Sequence, residues 1–425
     1  MEKFIVEGGH RLTGTVRVSG SKNSALAILV AAALGEGECL LHNVPDETDI
    51  RIMIEILGEL GVQAFWTGPG SLRLVTSHLR SYQAPYELVR RMRASFYVAG
   101  LLLARVGKAE VPLPGGCSLG SRPVDFHLKG FQALGADVNI SHGLMKAEAT
   151  RLVGTKIYIN RSSVGATVNL MLAATLAEGQ TVLENAAKEP EVVDLAIFLN
   201  GMGARIKGAG TNVVKIDGVR HLTGTEYTII PDRVEAGTLM IAAACTRGDV
   251  VVEDVVPEHL RTVVLNLQEA GVTVEEDATR FHVASSGRPK AVDTETAPYP
   301  GFPTDLQQPF VALMATAEGT SIVRETIFDR FRYVDELRRM GADIKVERDT
   351  AIVRGVEKLT GAPVEATDLR AGAALLCAAL GAEGLTELVG IEHIDRGYER
   401  IDQKLNALGA RIARSPVEGE WPLQE

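Results

Sequence analysis

Six glycines at a nearly constant spacing constrain the possible folds of this chain more than any other feature. Each lies in a segment of the form apolar-x-x-apolar-Gly-Ala/Val that precedes a β-type stretch, and neighbouring members are 68 to 74 residues apart. Glycine suits the left-handed cap at which a helix ends and the chain turns into a strand. Because self-similarity at a fixed period indicates repeated structural units, we predict six such units, with caps at Gly61, Gly135, Gly203, Gly271, Gly341 and Gly409.

A second series of segments runs in phase with these glycines. Its members are rich in alanine and leucine and nearly uncharged, and a helix that is apolar on every face is buried on every face. The segments are Ala25–Leu34, Ser95–Val106, Ala166–Ala177, Ala236–Cys245, Pro309–Ala317 and Ala371–Leu380. Each unit is therefore predicted to hold a buried helix behind a sheet and a more amphipathic helix nearer solvent, which makes the fold α/β.

Six units of this length predict two three-unit domains of ordinary size. We expect the chain to cross from one domain to the other near Gly20 and near Pro231. The first domain then spans residues 21–230, and the second combines residues 1–20 with 231–425. The strand Thr15–Ser19 belongs, in this interpretation, with the C-terminal half.

Composition excludes several classes of protein. The formal charge of −10 argues against nucleic acid as a partner. Nothing in the sequence resembles a signal peptide, and the longest apolar runs are too short to cross a bilayer, so we expect a cytoplasmic protein with no membrane partner. The four cysteines include no Cys-x-x-Cys pair, and no metal or other cofactor is predicted. Three of them lie in or beside apolar segments and are interpreted as core residues: Cys39, Cys245 and Cys377.

The residues that precede the buried helices form a third repeated pattern. They are cap-type or charged residues at helix starts, spaced 63 to 73 residues apart: Lys22, Arg93, Ser163, Asp232, Asp305 and Asp368. Repeated units place equivalent residues on one side of each domain. If the two domains face each other through that side, six positive helix ends converge on one cleft that would bind a multiply anionic small molecule.

Ordinary helix capping is the alternative explanation of this pattern. It accounts for serine, threonine and aspartate, but not for Lys22, Arg93 and Arg370 in first turns, where a cation opposes the helix dipole. That opposition costs stability unless an anion compensates, so the anion site is favoured. We accordingly expect Lys22→Met to leave thermal stability unchanged or slightly raised while activity falls.

The segment Pro114–His127 holds three glycines and two prolines around Cys117, so it cannot be the interior of a helix or a central strand. A long loop inside a compact domain is usually a lid or a binding loop. Arg122 follows five residues after the cysteine, and a nearby cation would favour its thiolate. A surface turn with an incidental cysteine remains open as the alternative for this loop.

Together these segments resemble the UDP-N-acetylglucosamine 1-carboxyvinyltransferases of the enolpyruvyl transferase family. The matching motifs occur in order over nearly the whole chain: Ser19–Ser24, Met92–Ser95, Pro114–His127, Ser163–Thr167, Glu184–Glu191, Pro303–Asp305 and His393–Tyr398. The resemblance implies two inside-out α/β barrels with helices inside. It also implies a cytoplasmic enzyme of peptidoglycan synthesis.

The implied reaction moves the enolpyruvyl group of phosphoenolpyruvate to the 3′-hydroxyl of UDP-N-acetylglucosamine, with release of phosphate. This addition followed by elimination needs a general acid, a general base and cations for the phosphate and carboxylate. By resemblance, Cys117 is the acid, the covalent trap and the target of the epoxide fosfomycin. Asp305 is the base, and Lys22 and Arg396 are catalytic cations.

The resemblance also implies a wider set of substrate-binding residues. The residues implied to bind phosphoenolpyruvate and to line its anion pocket are cations and one amide side chain. They are Lys22, Asn23, Arg93, Arg122, Arg370 and Arg396. Positions that hold the sugar nucleotide are Ser121, Arg122, Pro123, Val124, Asp125, Phe126, Arg161, Ser162, Ser163, Val164, Asp305 and Ile327. The sequence does not identify regulatory protein partners.

Three other functions stay open. The shikimate-pathway enolpyruvyl transferase shares the fold but lacks the cysteine lid. An RNA 3′-terminal phosphate cyclase has a related repeat fold and is disfavoured by the negative charge. A catalytically silent paralogue could sense a UDP-sugar. Phosphate release with UDP-N-acetylglucosamine, shikimate 3-phosphate or neither distinguishes these functions.

Overall fold

The computed structural model describes residues 2–114 and 124–417. Within these ranges the chain forms α-helices of 4 to 13 residues and three short 3₁₀ helices, Arg93–Tyr97, Pro257–Leu260 and Ile394–Arg396. The α-helices are α1 Lys22–Ala32, α2 Thr48–Leu60, α3 Tyr86–Val89, α4 Val98–Val106, α5 Asp125–Ala133, α6 Val164–Thr175, α7 Pro190–Gly201, α8 Arg233–Cys245, α9 Arg261–Glu269, α10 Thr304–Met314, α11 Val334–Arg339, α12 Leu369–Gly381 and α13 Ile401–Ala407.

The strands are short, and most have five or six residues. The first thirteen are β1 Glu2–Glu7, β2 Thr13–Arg17, β3 Gly37–His42, β4 Gln63–Gly68, β5 Ser71–Thr76, β6 Lys108–Pro112, β7 Asp137–Ser141, β8 Leu144–Glu148, β9 Lys156–Tyr158, β10 Gln180–Glu184, β11 Arg205–Lys207, β12 Val213–Asp217 and β13 Glu226–Thr228. The remaining ones are β14 Asp249–Glu253, β15 Thr273–Asp277, β16 Arg280–Ala284, β17 Thr294–Glu295, β18 Thr320–Arg324, β19 Asp343–Glu347, β20 Thr350–Arg354, β21 Pro363–Glu365, β22 Leu385–Val389 and β23 Arg411–Pro416.

The described residues fall into two compact units, each with its own apolar core. One unit contains residues 20–114 and 124–230, with sheets ordered β13-β3-β5-β4, β6-β8-β7 and β11-β12-β10-β9. The other contains residues 2–19 and 231–417, with sheets ordered β15-β16-β14-β2, β17-β18-β20-β19 and β21-β22-β1-β23. The sheets are mixed: β14 pairs in parallel with β2 and antiparallel with β16. The predicted α/β class is therefore confirmed.

The six glycines of the first repeat series adopt the backbone conformation that the spacing predicts. Their φ angles lie between 86° and 107°, in the left-handed region where a side chain is strained. At Gly61 the amide closes the end of α2 by donating to the carbonyls of Gly58 and Leu57. The prediction that these glycines are left-handed caps is confirmed.

The apolar segments are buried, as their composition predicts. In the 231–417 unit, α8, α10 and α12 pack against one another. Gly237 of α8 permits this approach, because a β-carbon there would lie 2.3 Å from Cδ1 of Leu306 in α10. In the 20–230 unit, α1 packs against α2 and α7, and α4 packs against α6.

One predicted helix differs in its first turn. The segment Ser95–Val106 begins as a 3₁₀ helix, and regular α-helix starts only at Val98. The side chain of Asn169 in α6 explains this. Its Nδ2 donates to the Phe96 carbonyl over 2.9 Å, and its Oδ1 accepts from the Gly100 amide over 2.8 Å. These two backbone groups would otherwise bond to each other in an α-helix, so Asn169 holds that turn open.

No α-helix in the described ranges is long and apolar enough to cross a bilayer.

Candidate functional site

Four of the predicted site residues, Cys117, Ser121, Arg122 and Pro123, lie outside the described residues. The others are distributed over both units, and each unit carries its own group of them.

Lys22 is the first residue of α1 in the 20–230 unit. The helix is capped by Ser21, whose side chain accepts from the Ser24 amide over 3.3 Å. The Lys22 ammonium is buried and lies 3.4 Å from Oδ2 of Asp49, which is itself buried in the first turn of α2. The protein thus supplies a counter-charge to a cation that opposes the α1 dipole. The pairing contradicts the premise that only a ligand compensates Lys22, and we now expect Lys22→Met to lose stability, because the substitution removes one partner of a buried ion pair.

A second buried carboxylate holds the same turn of α1, beside Asn23. The Ser24 hydroxyl donates to Oδ2 of Asp194 in α7, and the Tyr227 hydroxyl donates to Oδ1 over 2.5 Å. Burial raises the pKa of Asp194 and also raises that of Tyr227. The turn that carries Lys22 and the partly exposed Asn23 is therefore fixed by two acidic residues from separate helices.

Arg93 begins the 3₁₀ helix before α4, and its charge affects the pKa of a nearby histidine, His127. Burial, with the positive charge of Arg93, lowers the pKa of His127 to about 3, so the ring is neutral. Its Nδ1 lies 3.0 Å from Nδ2 of Asn169. Because Oδ1 of Asn169 already faces the Gly100 amide, Nδ2 is the group that faces the ring. His127 Nδ1 is therefore the acceptor, and the proton is on Nε2.

The predicted nucleotide-binding residues of this unit lie at two helix starts. Val124, Asp125 and Phe126 are partly exposed where α5 begins. At α6, Ser163 caps the helix by accepting from the Ala166 amide over 3.2 Å, as predicted. Arg161 is exposed, and Ser162 and Val164 are partly exposed, in the same turn. A β-carbon at Gly165 would lie 3.5 Å from Nε2 of His127, so the two helix starts are neighbours.

In the 231–417 unit, Asp305 lies in the first turn of α10 between two arginines. Nη1 of Arg330 is 2.5 Å from Oδ1, and Nη2 of Arg370 is 3.2 Å from Oδ2. The Arg330 and Arg370 side chains are only 5% exposed, whereas that of Asp305 is 23% exposed. The carboxylate is thus oriented by buried cations and remains reachable from solvent.

Arg330 was not among the predicted site residues. It is buried, its Nη1 also donates to the Thr304 carbonyl over 3.1 Å, and its guanidinium lies 4.8 Å from the centre of the Phe328 ring. The sequence shows an arginine three residues after Ile327, but no motif near it indicates that it pairs with Asp305, 25 residues earlier in the chain.

Arg370 follows Asp368, which caps α12 by accepting from the Arg370 and Ala371 amides. The Arg370 guanidinium lies 5.3 Å from the centre of the Tyr398 ring. Burial lowers the pKa of Arg370, but Tyr398, Asp305 and Asp232 outweigh that effect and raise it overall, so the arginine stays charged. Burial raises the pKa of Tyr398 to about 12.

Arg396 and Ile327 lie on short turns of the same unit. Arg396 is partly exposed at the end of a 3₁₀ helix. That turn is held by Arg414, whose Nη1 and Nη2 lie 2.8 and 2.9 Å from the two oxygens of Asp395. The Ile327 amide donates to Glu325 over 2.9 Å. Cations in both units can bind anionic groups, and Asp305 can accept a proton from a hydroxyl.

Comparisons with known proteins agree on one family. Residues 6–405 match the profile of EPSP synthase (3-phosphoshikimate 1-carboxyvinyltransferase). The chain is 58% identical over 417 residues to UDP-N-acetylglucosamine 1-carboxyvinyltransferase 2 of Symbiobacterium thermophilum, covering 97% of this chain and 98% of the relative. It is 56% identical over 417 residues to the protein of the same name from Carboxydothermus hydrogenoformans, covering 97% and 99%.

Solved structures extend the agreement to the fold. The enolpyruvyl transferase NikO from Streptomyces tendae superposes with a TM-score of 0.88 at 26% identity, covering 98% of this chain and 99% of NikO. An EPSP synthase from Acinetobacter baumannii has a TM-score of 0.78 at 22% identity, covering 98% of this chain and 100% of that structure, which supports the fold alone.

Proposed function

The chain belongs to the EPSP synthase family of enolpyruvyl transferases, and from that premise we propose that it is a UDP-N-acetylglucosamine 1-carboxyvinyltransferase. It transfers the enolpyruvyl group of phosphoenolpyruvate to the 3′-hydroxyl of the sugar nucleotide and releases phosphate. The observation that carries this proposal is the 58% identity, over nearly the full length of both chains, to an enzyme of that name. The product is a peptidoglycan precursor, and both substrates are cytoplasmic metabolites, which favours a cytoplasmic enzyme.

The chemistry assigns distinct tasks to the site residues. In the addition, the sugar hydroxyl loses a proton and bonds to C2 of phosphoenolpyruvate, while C3 gains a proton. In the elimination, C3 loses a proton, the bond from C2 to the phosphate oxygen breaks and phosphate leaves. We assign proton removal from the hydroxyl to Asp305 and proton donation at C3 to Cys117. Lys22 and Arg396 are assigned to the phosphate and carboxylate charges.

The surroundings of Asp305 support its assignment as the base. Both of its oxygens are oriented by buried guanidinium groups, and the carboxylate keeps 23% of its side-chain surface exposed. A base of this kind needs a fixed direction and access to the substrate hydroxyl, and this arrangement is compatible with both. Arg330 and Arg370 together orient the Asp305 carboxylate.

We propose that the two compact units correspond to two inside-out α/β barrels, residues 21–230 and residues 1–20 with 231–425. Three sheets and an apolar core of buried helices in each unit support this division. The cations assigned to the anionic substrates are Lys22, Arg93, Arg122, Arg161, Arg370 and Arg396.

Phosphate release tests this function. Purified protein with phosphoenolpyruvate is supplied with UDP-N-acetylglucosamine, with shikimate 3-phosphate or with no acceptor. We expect phosphate only with the sugar nucleotide. Release only with shikimate 3-phosphate would assign the chain to the other activity of its family, and no release with either acceptor would indicate a non-catalytic protein.

A further inference from the structure

Glu325 follows strand β18 in the 231–417 unit and is 2% exposed. Four donors converge on its carboxylate. Oε1 accepts from Thr296 Oγ1 over 2.9 Å, from the Ile327 amide over 2.9 Å and from the Phe328 amide over 3.1 Å. Oε2 accepts from Thr304 Oγ1 over 2.9 Å. One buried side chain therefore connects three separate segments.

Two of these segments carry residues of the proposed active site. Thr304 is the first residue of α10 and directly precedes Asp305. Ile327 and Phe328 form the turn that leads to Arg330, which returns to bind Asp305. The third segment follows β17, where Thr296 also binds Thr326: the Thr326 amide donates to Thr296 Oγ1 over 2.9 Å, and its hydroxyl donates to the Thr296 carbonyl over 2.6 Å.

We propose that Glu325 is a positioning residue for enolpyruvyl transfer. It sets the base Asp305, the guanidinium of Arg330 and the nucleotide-binding backbone at Ile327 relative to one another. This inference rests on the proposed function of the site. Glu325 itself touches neither substrate, and its effect passes through the first turn of α10 and the 325–328 turn.

The position of Oε1 requires an acceptor, because three donors converge on it. Two of the four donors are the part-buried backbone amides of Ile327 and Phe328, so removing the carboxylate takes away an acceptor from both. Glutamine can replace glutamate here, because its amide oxygen can face Ile327 and Phe328 while its amino group donates to the Thr304 hydroxyl. The structure therefore predicts that alanine is damaging at this position and that glutamine is tolerated.

Arg288 provides a control for the loss of several part-buried hydrogen bonds at once. It donates to the carbonyls of Thr316, Ala317, Gly355 and Val356 over 2.9 to 3.0 Å. Thr316 and Ala317 lie just after the C-terminal end of α10, whose first residue, Thr304, binds Glu325. Arg288→Met keeps the stem of the side chain and removes these bonds. A role that is merely structural should make Glu325→Ala and Arg288→Met behave alike.

The experiment compares the wild type with Glu325→Ala, Glu325→Gln and Arg288→Met. Thermal unfolding, steady-state kinetics with both substrates and calorimetric binding of UDP-N-acetylglucosamine are measured for each. We expect Glu325→Ala to lower kcat at least about tenfold and to weaken sugar-nucleotide binding at least about tenfold, since small misplacements of reacting groups are costly. Glu325→Gln should stay within about threefold of the wild type, and Arg288→Met should lower only the melting temperature.

Thr304→Val covers the case in which Glu325→Ala does not fold. It removes only the hydroxyl bond to Oε2, and kcat should fall about threefold with the melting temperature nearly unchanged. Wild-type kinetics in Glu325→Ala, or in Thr304→Val where Glu325→Ala does not fold, would overturn the positioning role, as would equal kinetic losses in Glu325→Ala and Arg288→Met. If the wild type itself transfers no enolpyruvyl group, the proposed function fails instead, and the two failures are distinguishable.

Discussion

Replacing Lys22 by methionine should both destabilise the 20–230 unit and abolish transfer. The ammonium lies 3.4 Å from Oδ2 of Asp49, and the two side chains are 9% and 5% exposed. At that distance the attraction is about 5 kcal/mol with an effective dielectric constant of about 20, before desolvation is subtracted. Breaking a buried pair by removing one partner costs about 3–5 kcal/mol. We expect a loss near the lower end of that range, about 3 kcal/mol.

A loss of this size is measurable. For a unit of about 200 residues, 1 kcal/mol shifts the melting temperature by about 2–4 °C, so Lys22→Met should melt about 6–12 °C below the wild type in scanning calorimetry. The double variant Lys22→Met/Asp49→Asn removes both charges and should recover most of the stability. Both variants should lose transferase activity by orders of magnitude, because each lacks the phosphate-binding cation.

An exposed ion pair in the same region serves as the control. Arg51 in α2 binds Asp46 over 2.7 Å, but its side chain is 64% exposed, and such pairs contribute about 0–1 kcal/mol. Arg51→Met should therefore melt close to the wild type. The reasoning is refuted if Lys22→Met is as stable as Arg51→Met, or if the Asp49→Asn change fails to restore any stability to it.

Three further predictions concern other residues. His127 is neutral in the fold with a pKa of about 3, so its contribution to stability is complete above pH 6.5 and is lost as the pH falls toward 3. His127→Gln should therefore reduce the acid slope of the unfolding free energy by up to about 1.4 kcal/mol per pH unit in denaturant titrations, and an unchanged slope would contradict the burial of this ring. Fosfomycin should label Cys117 alone in peptide mass spectrometry, because burial raises the pKa of the other thiols, Cys39, Cys245 and Cys377; a label on any of these three rejects the assignment. Asp305→Asn should lower kcat at least about 100-fold, whereas the exposed Asp335→Asn should not; similar rates for the two variants would exclude Asp305 as the base.

The repeat architecture could be predicted because its signals are local. A left-handed cap is encoded by one glycine, and a buried helix by its own uncharged faces. Residues such as Gly61 and segments such as Ala236–Cys245 therefore reveal their structure without reference to the rest of the chain. The 3₁₀ start of the Ser95–Val106 helix was missed because its cause, the amide of Asn169, comes from another helix.

The same distinction applies to the site. Lys22 and Asp305 could be identified from motifs at helix starts, but their partners could not. Asp49 lies 27 residues from Lys22, and Arg330 lies 25 residues from Asp305. Because the pairing depends on how separate segments pack, the sequence argument assigned the counter-charge of Lys22 and Arg370 to a ligand. In the folded protein, carboxylates of the chain itself supply part of that counter-charge.

The fate of the bridging oxygen of phosphoenolpyruvate tests the central claim most directly. With a heavy oxygen isotope at the C2–O–P bridge and UDP-N-acetylglucosamine as acceptor, mass spectrometry of both products shows which bond breaks. Addition followed by elimination predicts that all of the label leaves with the phosphate and that the sugar nucleotide gains an unlabelled enolpyruvyl ether. Label retained in an organic product, or phosphate released with no enolpyruvyl sugar nucleotide formed, would contradict the account.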